Sequence, residues 1–412
     1  MEASDGPNLL DVADRDGELP DLALVLGPES VQELAALWRA AGGAGQRSAV
    51  EASRHDTKYE PGVRCTVVWR LTGERDRAER VTFGVAQADP AGATFRLFQH
   101  DRGLPGLQAA ADPTRVTVGG DHGAVRAIVP VRYQPGRSCV LRLDLEDGTS
   151  LFGKVSGEAD ALAATVKDLG AARGRGSGLP RVPRVLGELS DLQLVLFEHL
   201  GGEPLGKVIF ARERAEDDRL EAVARAGAAV AALHTLPAPA GPARRLDHDL
   251  QELRGYLPVV SHFEPRAAAG IAEAIQRLSA SAADSGTRAA PVASHGALRA
   301  DQLLVDHDLD VAMLDLDGFC RSAPERDVAN LLAYLDWRGI RIPADRSMAE
   351  RARNAFLSGY ASAGRAPDET TLARYRSVSL LKIAGRRYRS LGVREWWMVP
   401  ELTDLARQLA GG

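Results

Sequence analysis

The stretch from Ser294 to Phe319, "SHGALRADQLLVDHDLDVAMLDLDGF", decides the fold and the chemistry expected of this chain. Two short apolar runs, "LLV" and "VAML", flank the polar segment "DHDLD", which is typical of a β-hairpin. The hairpin would place Gln302 just before its first strand and Asp315 at the end of its second strand. An amide oxygen and a carboxylate that converge there suit a hard divalent cation. Asp317, two residues further on, either shares the cation or caps the next turn.

The alternative for this stretch is a surface hairpin with acidic ends, and the organisation of the rest of the chain favours the cation site. A β-rich N-terminal half precedes an α-rich C-terminal half, and the two join near residues 198–202. From Gly206 onward, segments such as "RLEAVARAGAAVAALHTL" have the helical period and the small residues of a closely packed helix. Residues 349–409 contain at least three further helical segments.

The N-terminal segment "MEASDGPNLLDVADRDGELP" is acidic and carries Pro and Gly, so it predicts a mobile tail of roughly 20 residues. It lacks the charged-then-apolar order of a signal peptide. The next segment, "GPESVQELAALWRAAG", predicts a short amphipathic helix that starts at Ser30 as the N-cap and ends at Gly42 and Gly43.

Two β-rich stretches resemble each other: "YEPGVRCTVVWRL" from Tyr59 and "YQPGRSCVLRLDL" from Tyr133. Each has Tyr, Pro-Gly and Cys at the same offsets, and "TFGVAQAD" matches "LFGKVSGEAD" after a length difference. An internal duplication of a β-hairpin unit, at a spacing of 74 residues from Tyr59 to Tyr133, explains the pattern. The alternative is chance, because Pro-Gly turns are common. Only the second stretch carries a lysine, Lys154.

Lys154 ends the strand predicted for "TSLFGKV", from which its ammonium could project toward the α- and β-phosphates of a nucleotide. A lone lysine on a strand is usually just solvated. Its place about 40 residues before a strand that closes on a Gly pair favours the nucleotide role. Three carboxylates of the following helix could fix its rotamer, namely Glu158, Asp160 and Asp168. We favour Glu158, although a partner four residues away demands a tight turn.

The apolar run "LVLFEHLGG" closes on a Gly pair and predicts a strand. A resemblance to kinases, rather than the run itself, implies that this strand passes behind an adenine base. The backbone N–H and C=O groups of Glu198, His199 and Leu200 would then face the base. A plain buried strand is the alternative, and the residues of this run do not separate the two.

The composition of the chain limits the classes of partner that we expect it to have. With 412 residues, of which 45% are hydrophobic, the chain can bury a sizeable core in two or three lobes. A formal net charge of −5 gives no basic field for nucleic acid. Cys65, Cys139 and Cys320 are scattered, which indicates reduced thiols. No apolar run approaches the ~18 residues of a membrane span. We therefore expect a cytoplasmic protein without nucleic-acid or membrane partners, and the abundance of Ala, Arg and Gly indicates a GC-rich bacterial genome.

The chain resembles the aminoglycoside phosphotransferase and choline-kinase family, whose fold is related to that of protein kinases. The resemblance covers roughly residues 133–337 and, more loosely, the helices that follow. The matching stretches are "LFGKV", "VPRVLG", "LVLFEHLGGEPL", "AALHTL", "SHGALRADQLLV", "MLDLDG", "DVANLLAYL" and "FLSGYASAG". The resemblance implies an α+β, two-lobe protein-kinase-like fold. We expect the chain to divide into an N-terminal extension with a helix and a duplicated β-hairpin unit (1–125), a β-rich N-lobe (126–200) and a helical C-lobe with the catalytic-loop hairpin (201–412).

The resemblance also implies roles for individual residues. Lys154 looks like the phosphate-binding lysine, Gln302 like the Asn or Gln metal ligand, and Asp315 like the main Mg²⁺-binding aspartate. Asp327 is similar to the structural aspartate that steadies the catalytic loop. His295 is similar to the histidine that packs behind that loop.

The departure from the family is Ala297, which stands where the family has its catalytic aspartate. Alanine can neither orient a hydroxyl group nor accept its proton. Three explanations stay open: a natural pseudokinase that scaffolds or regulates, a kinase that uses another base, or a deliberate replacement that traps a complex. Asp301 and Asp317 are the candidate bases nearest in sequence. Nucleotide binding should survive in each case.

The resemblance implies an ATP-dependent phosphotransferase that uses Mg²⁺ and acts on a hydroxyl acceptor such as an aminosugar. The C-terminal half is not conspicuously acidic, as a cationic substrate would require. The segment "SLLKIAGRRYRSLGVREWW" is basic and aromatic, which fits an anionic partner, a peptide, or a solvated face that covers the lobe. The alternative function is a pseudokinase, or a kinase for Ser/Thr-containing peptides in a ribosomal-peptide natural-product pathway, that binds nucleotide or peptide without efficient transfer.

Overall fold

The computed structural model describes residues 9–45, 48–75, 78–119, 123–175, 178–283, 290–364 and 366–411. Within these residues the chain forms two compact units. The first unit comprises Met1–Ala164, Arg184–His199 and Tyr388–Arg394, and the second comprises Thr165–Pro183, Leu200–Arg387 and Glu395–Gly412. No helix in the described ranges has both the length and the apolar character needed to cross a membrane.

The first unit begins with three helices and an antiparallel sheet. The helices are α1 (Leu9–Ala13), α2 (Leu22–Leu26) and α3 (Pro28–Ala40). The strands are β1 (Val50–Glu60), β2 (Arg64–Arg75), β3 (Ala78–Asp89) and β4 (Gly92–Leu97), and they pair in that order. Each strand follows its neighbour along the chain, so short hairpin connections are sufficient to build the sheet.

The start of α3 differs from the prediction. Gly27 is the N-cap and Pro28 is the first helical residue, a position where the missing N–H of proline costs nothing. Ser30 instead lies inside the first turn, where its hydroxyl donates a hydrogen bond to the Gly27 carbonyl over 2.8 Å. The prediction of Ser30 as the N-cap is therefore wrong.

The predicted mobile tail is also wrong where the structure describes it; residues 1–8 lie outside the described residues. Helix α1 occupies part of the segment, and Val12, Asp16 and Leu19 are buried. Asp16 is fixed by hydrogen bonds that its carboxylate accepts from the Tyr59 hydroxyl at 2.7 Å and from the Gly62 N–H at 2.9 Å. These bonds join the segment to a hairpin more than 40 residues away, which the local sequence does not reveal.

The first unit continues with a second antiparallel sheet. Its strands are β5 (Val125–Gln134), β6 (Ser138–Leu145), β7 (Ser150–Ser156), β8 (Val185–Leu189) and β9 (Leu194–Phe197). Helix α4 (Leu107–Ala110) precedes β5, and α5 (Ala159–Arg175) follows β7; the residues of α5 from Thr165 onward belong to the second unit. The strand order is β5-β6-β7-β9-β8, which makes β7 the central strand. All four residues of β9 are buried, as expected for an apolar strand paired on both sides.

One hydrophobic core serves both sheets of the first unit. The ring of Tyr133, on β5, lies 6.0 Å from that of Phe83 on β3 and 5.9 Å from that of Phe98, which follows β4. All three side chains are buried, together with leucines of β6 such as Leu141 and Leu143. Aromatic contacts of this kind add to the stabilisation that comes from the buried area.

The two similar sequence stretches adopt the same local structure. In each, a tyrosine at the end of one strand pairs with a cysteine at the start of the next: Tyr59 with Cys65 and Tyr133 with Cys139. All four side chains are fully buried, and burial raises the pKa of the Cys65 thiol to about 12. Both cysteines are free thiols, as predicted.

Strand pairing gives the correspondence between the third strands of the two stretches. Lys154 pairs with Val140, the residue after Cys139, and Gln87 pairs with Thr66, the residue after Cys65. Gln87 therefore occupies the place of Lys154 in the first stretch. An alignment that matches the "FG" letters of the two stretches differs from the strand pairing by two residues. It keeps the residue matched to Lys154 on the same face of the strand but puts it at a different position along the strand.

The second unit is mainly helical. Its helices are α6 (Leu205–Phe210), α7 (Glu216–Leu233), α8 (Leu246–Arg254), α9 (Leu257–Phe263), α10 (Pro265–Ala283), α11 (Glu325–Arg341), α12 (Arg346–Ala363), α13 (Glu369–Arg389) and α14 (Val399–Gly411). The short strands are β10 (Glu203–Pro204), β11 (Val292–Ser294), β12 (Leu303–Val305), β13 (Val311–Met313) and β14 (Cys320–Ser322). They form two small sheets, ordered β10-β12-β13 and β11-β14. The predicted α+β class, β-rich in its N-terminal part and helical in its C-terminal part, is confirmed.

Helices α7 and α12 pack with their backbones in contact. A Cβ atom on Gly227 would collide with the Phe356 carbonyl oxygen, and one on Gly359 would collide with the Ala224 carbonyl oxygen. The small residues that mark α7 in the sequence are thus required by a close helix–helix approach. Tyr360 of α12 hydrogen-bonds through its hydroxyl to the Nδ1 of His234, the residue that follows α7, over 2.7 Å.

Candidate functional site

The predicted hairpin is present at the centre of the candidate site. Strands β12 and β13 are antiparallel, with Leu303 opposite Met313, and every residue of both strands is buried. The Leu314 N–H donates to the Gln302 carbonyl over 2.8 Å, which continues the pairing beyond the strands. The chain ends of the hairpin therefore lie side by side.

This pairing brings Gln302 and Asp315 together. The Gln302 Nε2 donates to the Asp315 Oδ2 over 2.9 Å, and the Gln302 Oε1 accepts from the Arg299 N–H over 2.8 Å. Gln302 is buried, whereas Asp315 is exposed. The backbone of Asp315 is left-handed, with φ of 63°, a conformation that is costly for a non-glycine residue and that collects at functional sites.

The side chains present fit a hard divalent cation after one rearrangement. Asp315 offers carboxylate oxygens, and Gln302 offers an amide oxygen, which are ligands that suit Mg²⁺. As placed, the amide nitrogen of Gln302 faces Asp315. A half-turn of the amide group would present Oε1 to the cation and break its hydrogen bond with the Arg299 N–H. Asp317 is also exposed and lies in the following short helical turn, Leu316–Gly318.

The loop before the hairpin is held by Asp327, which is fully buried on α11. Its carboxylate accepts hydrogen bonds from the His295 N–H at 2.6 Å and the Gly296 N–H at 2.9 Å. It also accepts one from the His234 Nε2 at 3.3 Å. Burial alone would raise the pKa of Asp327, but the His234 hydrogen bond and the charge of Arg326 outweigh it, so that this pKa lies below its usual range. Asp327 thus fixes two consecutive residues of the loop.

The histidine behind the loop connects it to the hairpin. The His295 side chain is buried, and its Nε2 donates to the Leu314 carbonyl over 2.8 Å. Leu314 immediately precedes Asp315, so a single side chain ties the loop to the carboxylate-bearing end of β13. These contacts agree with the prediction that His295 packs behind the loop.

A second support for the loop was not predicted from the sequence. The Arg326 guanidinium donates to the Gly296 carbonyl through NH1 and to the Asp249 Oδ2 through Nε, the latter over 2.9 Å. Asp249, on α8, also accepts from the Lys382 Nζ over 2.7 Å. Burial opposes ionisation of Asp249, but the hydrogen bonds and charges of Arg326 and Lys382 hold its pKa well below the usual range. The only sequence signal was the position of Arg326 next to Asp327.

Ala297 lies in the loop between these anchors and the hairpin, and its side chain is exposed. Gly296 has φ of 83°, and a Cβ atom there would collide with the Gly318 carbonyl oxygen. The same two segments meet at Ala297, whose Cβ would lie 3.5 Å from a Cβ built on Gly318. The methyl group at position 297 therefore faces the turn that contains Asp317.

The two carboxylates predicted as alternative bases differ in their surroundings. Asp317 precedes Gly318, which neighbours Ala297. Asp301 instead points toward α6: a Cβ on Gly206 would meet the Asp301 Oδ1 at 2.6 Å and the Tyr334 hydroxyl at 2.9 Å. Burial first, and then the negative charge of Asp301, raise the pKa of Tyr334. The turn that carries Asp317 therefore adjoins Ala297, whereas the Asp301 carboxylate lies at Gly206 on α6.

The other predicted site residues belong to the first unit, except Leu200, which belongs to the second. Lys154 lies on β7 and is 9% exposed. On the β9 side of the sheet, Lys154 pairs with Val195. Glu158 is exposed in the turn after β7, where its N–H donates to the Ser156 hydroxyl over 3.1 Å.

The strand predicted to pass behind a base ends at Phe197, and Glu198 continues its pairing with the β8 side. The Glu198 N–H donates to the Arg184 carbonyl over 3.0 Å, and the Glu198 Oε1 accepts from the Arg184 N–H over 2.9 Å. The N–H of Glu198 is therefore used within the sheet. His199 packs its ring on that of Phe152, with the centroids 5.4 Å apart.

An open cavity of about 640 Å³ lies on the first unit, lined by Arg142, Gly148, Thr149, Ser150, Phe152 and His199. Phe152 is two residues before Lys154 on β7, so both side chains leave the same face of the sheet. Arg142 pairs directly with Phe152. The cavity thus lies on the lysine-bearing face and ends at His199.

A family model described as the phosphotransferase enzyme family, APH, matches residues 138–367, more than half of the chain. The chain therefore belongs to the phosphotransferase enzyme family. The matched range contains Lys154, the loop that carries Ala297, and the hairpin. None of the curated proteins compared with the chain matches it.

Solved structures of phosphotransferases are among those to which the chain is similar. Aminoglycoside phosphotransferase APH(3'')-Id from Streptomyces rimosus is 23% identical, over 62% of this chain and 92% of that chain, with a TM-score of 0.41. Spectinomycin phosphotransferase APH(9)-Ia, in complex with ADP and spectinomycin, is 12% identical over 70% and 94%, with a TM-score of 0.49. Amicoumacin kinase hAmiN, in complex with AMP-PNP, Ca²⁺ and Ami, is 13% identical over 75% and 94%, with a TM-score of 0.48.

Proposed function

We propose that this chain is an ATP-dependent phosphotransferase that acts on a hydroxyl acceptor and whose catalytic loop lacks the usual carboxylate. The observation that carries the proposal is the Gln302–Asp315 pair beside a loop fixed by Asp327. Phosphoryl transfer depends on positioning and electrostatic stabilisation more than on covalent chemistry by the protein. A loop held by a buried carboxylate, next to oxygen ligands for a cation, supplies the positioning.

In the proposed complex, Asp315 and Gln302 hold Mg²⁺, and Lys154 contacts the α- and β-phosphates. The cation would offset the negative charge of the triphosphate. The position of Lys154 on the face of β7 that also bears Phe152, a residue of the cavity lining, supports this role. Glu158 is kept as the proposed acidic partner of Lys154.

The proposed base site is the cavity that ends at His199. Phe152 offers an aromatic surface for the adenine. Because the N–H of Glu198 is used within the sheet, we propose that the base is read by the Glu198 carbonyl and by the backbone of His199 and Leu200. ATP binding in this arrangement needs no residue at position 297.

Transfer requires a group that orients the acceptor hydroxyl and takes its proton, and Ala297 provides neither. We propose that Asp317 has this role if transfer occurs, because the turn that carries it adjoins Ala297 and Asp301 points toward Gly206. Small-molecule alcohols such as aminosugars and Ser/Thr-containing peptides are the candidate acceptors.

A nucleotide-binding pseudokinase is the second candidate function, as a partner in a natural-product pathway for ribosomal peptides. The observation that favours it is the intact anchoring of the loop around an exposed alanine. Such a protein would retain the cation and nucleotide sites without efficient transfer.

Both candidate functions require ATP binding, so a binding measurement tests them together. We expect calorimetry to show Mg²⁺-dependent ATP binding by the parent protein and at least about tenfold weaker binding by Asp315→Ala, a loss of about 1.4 kcal/mol. Asp308→Ala is the matched control, since Asp308 is an exposed aspartate in the turn of the same hairpin. Equal affinities of the parent and Asp315→Ala would contradict the assigned cation site. An absence of binding in the parent would contradict both candidate functions.

A further inference from the structure

Two buried aspartates in the first unit hold two β-turns in the same way. We call the first group, Asp16 with Tyr59 and Gly62, the first clamp. The Asp16 Oδ2 accepts from the Tyr59 hydroxyl at 2.7 Å and from the Gly62 N–H at 2.9 Å. Its Oδ1 accepts from the Glu18 N–H at 3.2 Å. One carboxylate therefore ties a strand end, a turn and its own segment together.

The second clamp consists of Asp101, Tyr133 and Gly136. The Asp101 Oδ2 accepts from the Tyr133 hydroxyl and from the Gly136 N–H, each at 2.6 Å, and the Oδ1 accepts from the Gly103 N–H at 2.9 Å. Asp16 is 5% exposed and Asp101 is 6% exposed. Hydrogen bonds to an ionised acceptor are roughly twice as strong as neutral ones, so each turn is held firmly.

The turns themselves have the same backbone. The Arg137 N–H donates to the Gln134 carbonyl and the Val63 N–H to the Glu60 carbonyl, each over 3.0 Å. The glycine of the second clamp has φ of 69° and that of the first has φ of 67°. A Pro-Gly pair with the glycine at positive φ is typical of a type II turn. The clamps thus fix one turn geometry twice.

Only the second turn belongs to a sheet that carries the lysine. It connects β5 to β6, and the next strand, β7, bears Lys154. In protein kinases a Gly-rich loop covers the phosphates, and the phosphate-binding lysine lies on the third strand. The turn from Gln134 to Ser138 therefore stands where a phosphate-covering loop would be expected.

We infer that Asp101 is a positioning residue for nucleotide binding: through the second clamp it holds the turn from Gln134 to Ser138 over the phosphates. This inference rests on the proposed function. Asp101 itself touches no phosphate and acts through the backbone of Gly136.

Differences between the clamps agree with this assignment. In the first clamp the Glu18 carboxylate lies against Gly62, where a Cβ atom would collide with it. At the matching place after Asp101 stands Gly103, which has no side chain and packs so closely on the Gly136 backbone that a Cβ would lie 2.6 Å from its Cα. A carboxylate over the first turn would repel a phosphate, whereas the second turn carries none at this place.

The two clamps provide a matched experiment. Asp101→Asn and Asp16→Asn remove the same charge from the same hydrogen-bond geometry, and both should lower the melting temperature by similar amounts. We expect calorimetry with Mg·ATP to show about tenfold weaker binding for Asp101→Asn. Asp16→Asn should bind within about twofold of the parent. Adenosine, which has no phosphates, should bind both variants equally.

A second pair of variants, with milder substitutions, keeps the inference testable if an aspartate variant does not fold. Tyr133→Phe and Tyr59→Phe each remove one donor from a clamp and keep the ring, and only Tyr133→Phe should weaken Mg·ATP binding. If the parent binds Mg·ATP and the two members of each pair bind it equally, the inference about Asp101 is wrong while the proposed function stands. If the parent does not bind Mg·ATP, both are wrong.

Discussion

Introducing a carboxylate at position 297 tests the proposal that the loop lacks only a catalytic base. We expect Ala297→Asp to increase phosphate transfer, because the loop backbone is already fixed by the Asp327 hydrogen bonds at 2.6 and 2.9 Å. The site is exposed, so a carboxylate there stays hydrated and needs no compensating charge. Its insertion should therefore leave the fold intact.

The expected magnitude follows from the same geometry. General-base assistance contributes typically ~10²–10⁴ in rate. An exposed aspartate retains rotamer freedom, so we expect the lower end, about 10²-fold, which corresponds to about 2.7 kcal/mol of transition-state stabilisation. Ala297→Asn is the control, since it adds a polar group of the same size that accepts no proton at neutral pH.

The assay is ADP release with candidate aminosugars and a Ser/Thr-rich peptide as acceptors. A rise for Ala297→Asp but not for Ala297→Asn would support a loop that lacks only its base. If Asp317 already serves as the base, parent activity should be measurable, Asp317→Asn should abolish it, and Ala297→Asp should add little. Equal rates for the Asp and Asn variants at position 297, above the parent, would refute the general-base reasoning. No turnover by any variant despite proven ATP binding would favour the pseudokinase.

Two further predictions concern the anchors of the loop. The folded-state pKa values of Asp249 and Asp327 are depressed, so the stability they contribute is present above the unfolded-state pKa of about 3.9 and is lost as the pH falls through the lower folded-state values. The urea concentration at the unfolding midpoint should therefore decrease as the pH falls below about 4. The decrease should be shallower in Asp249→Asn; an unchanged slope would contradict the depressed pKa of Asp249. Gly296→Ala should lower the free energy of unfolding by at least about 1–2 kcal/mol, because of its positive φ and the collision with Gly318. Gly157→Ala, where a Cβ meets no atom within 4 Å, is the control, and equal unfolding energies would count against this strain.

The hairpin of the candidate site was predictable because its signals are local. Two apolar runs around a polar turn define the hairpin, and the hairpin forces Gln302 and Asp315 together whatever surrounds it. The free cysteines and the change from strands to helices were also readable from composition and periodicity. The family resemblance supplied Asp327, whose hydrogen bonds to His295 and Gly296 the structure then showed.

What the sequence determined by itself is thus the order of strands and helices and the residues that share one hairpin, since hydrophobic periodicity and turn residues act over a few positions. Only the tertiary structure decided which buried charges hold those elements. Asp101 reaches a turn 35 residues away, and Asp249 reaches Arg326 across 77 residues. Such contacts leave no local pattern, because a buried carboxylate is selected by the donors that the fold gathers around it rather than by its neighbours in the chain.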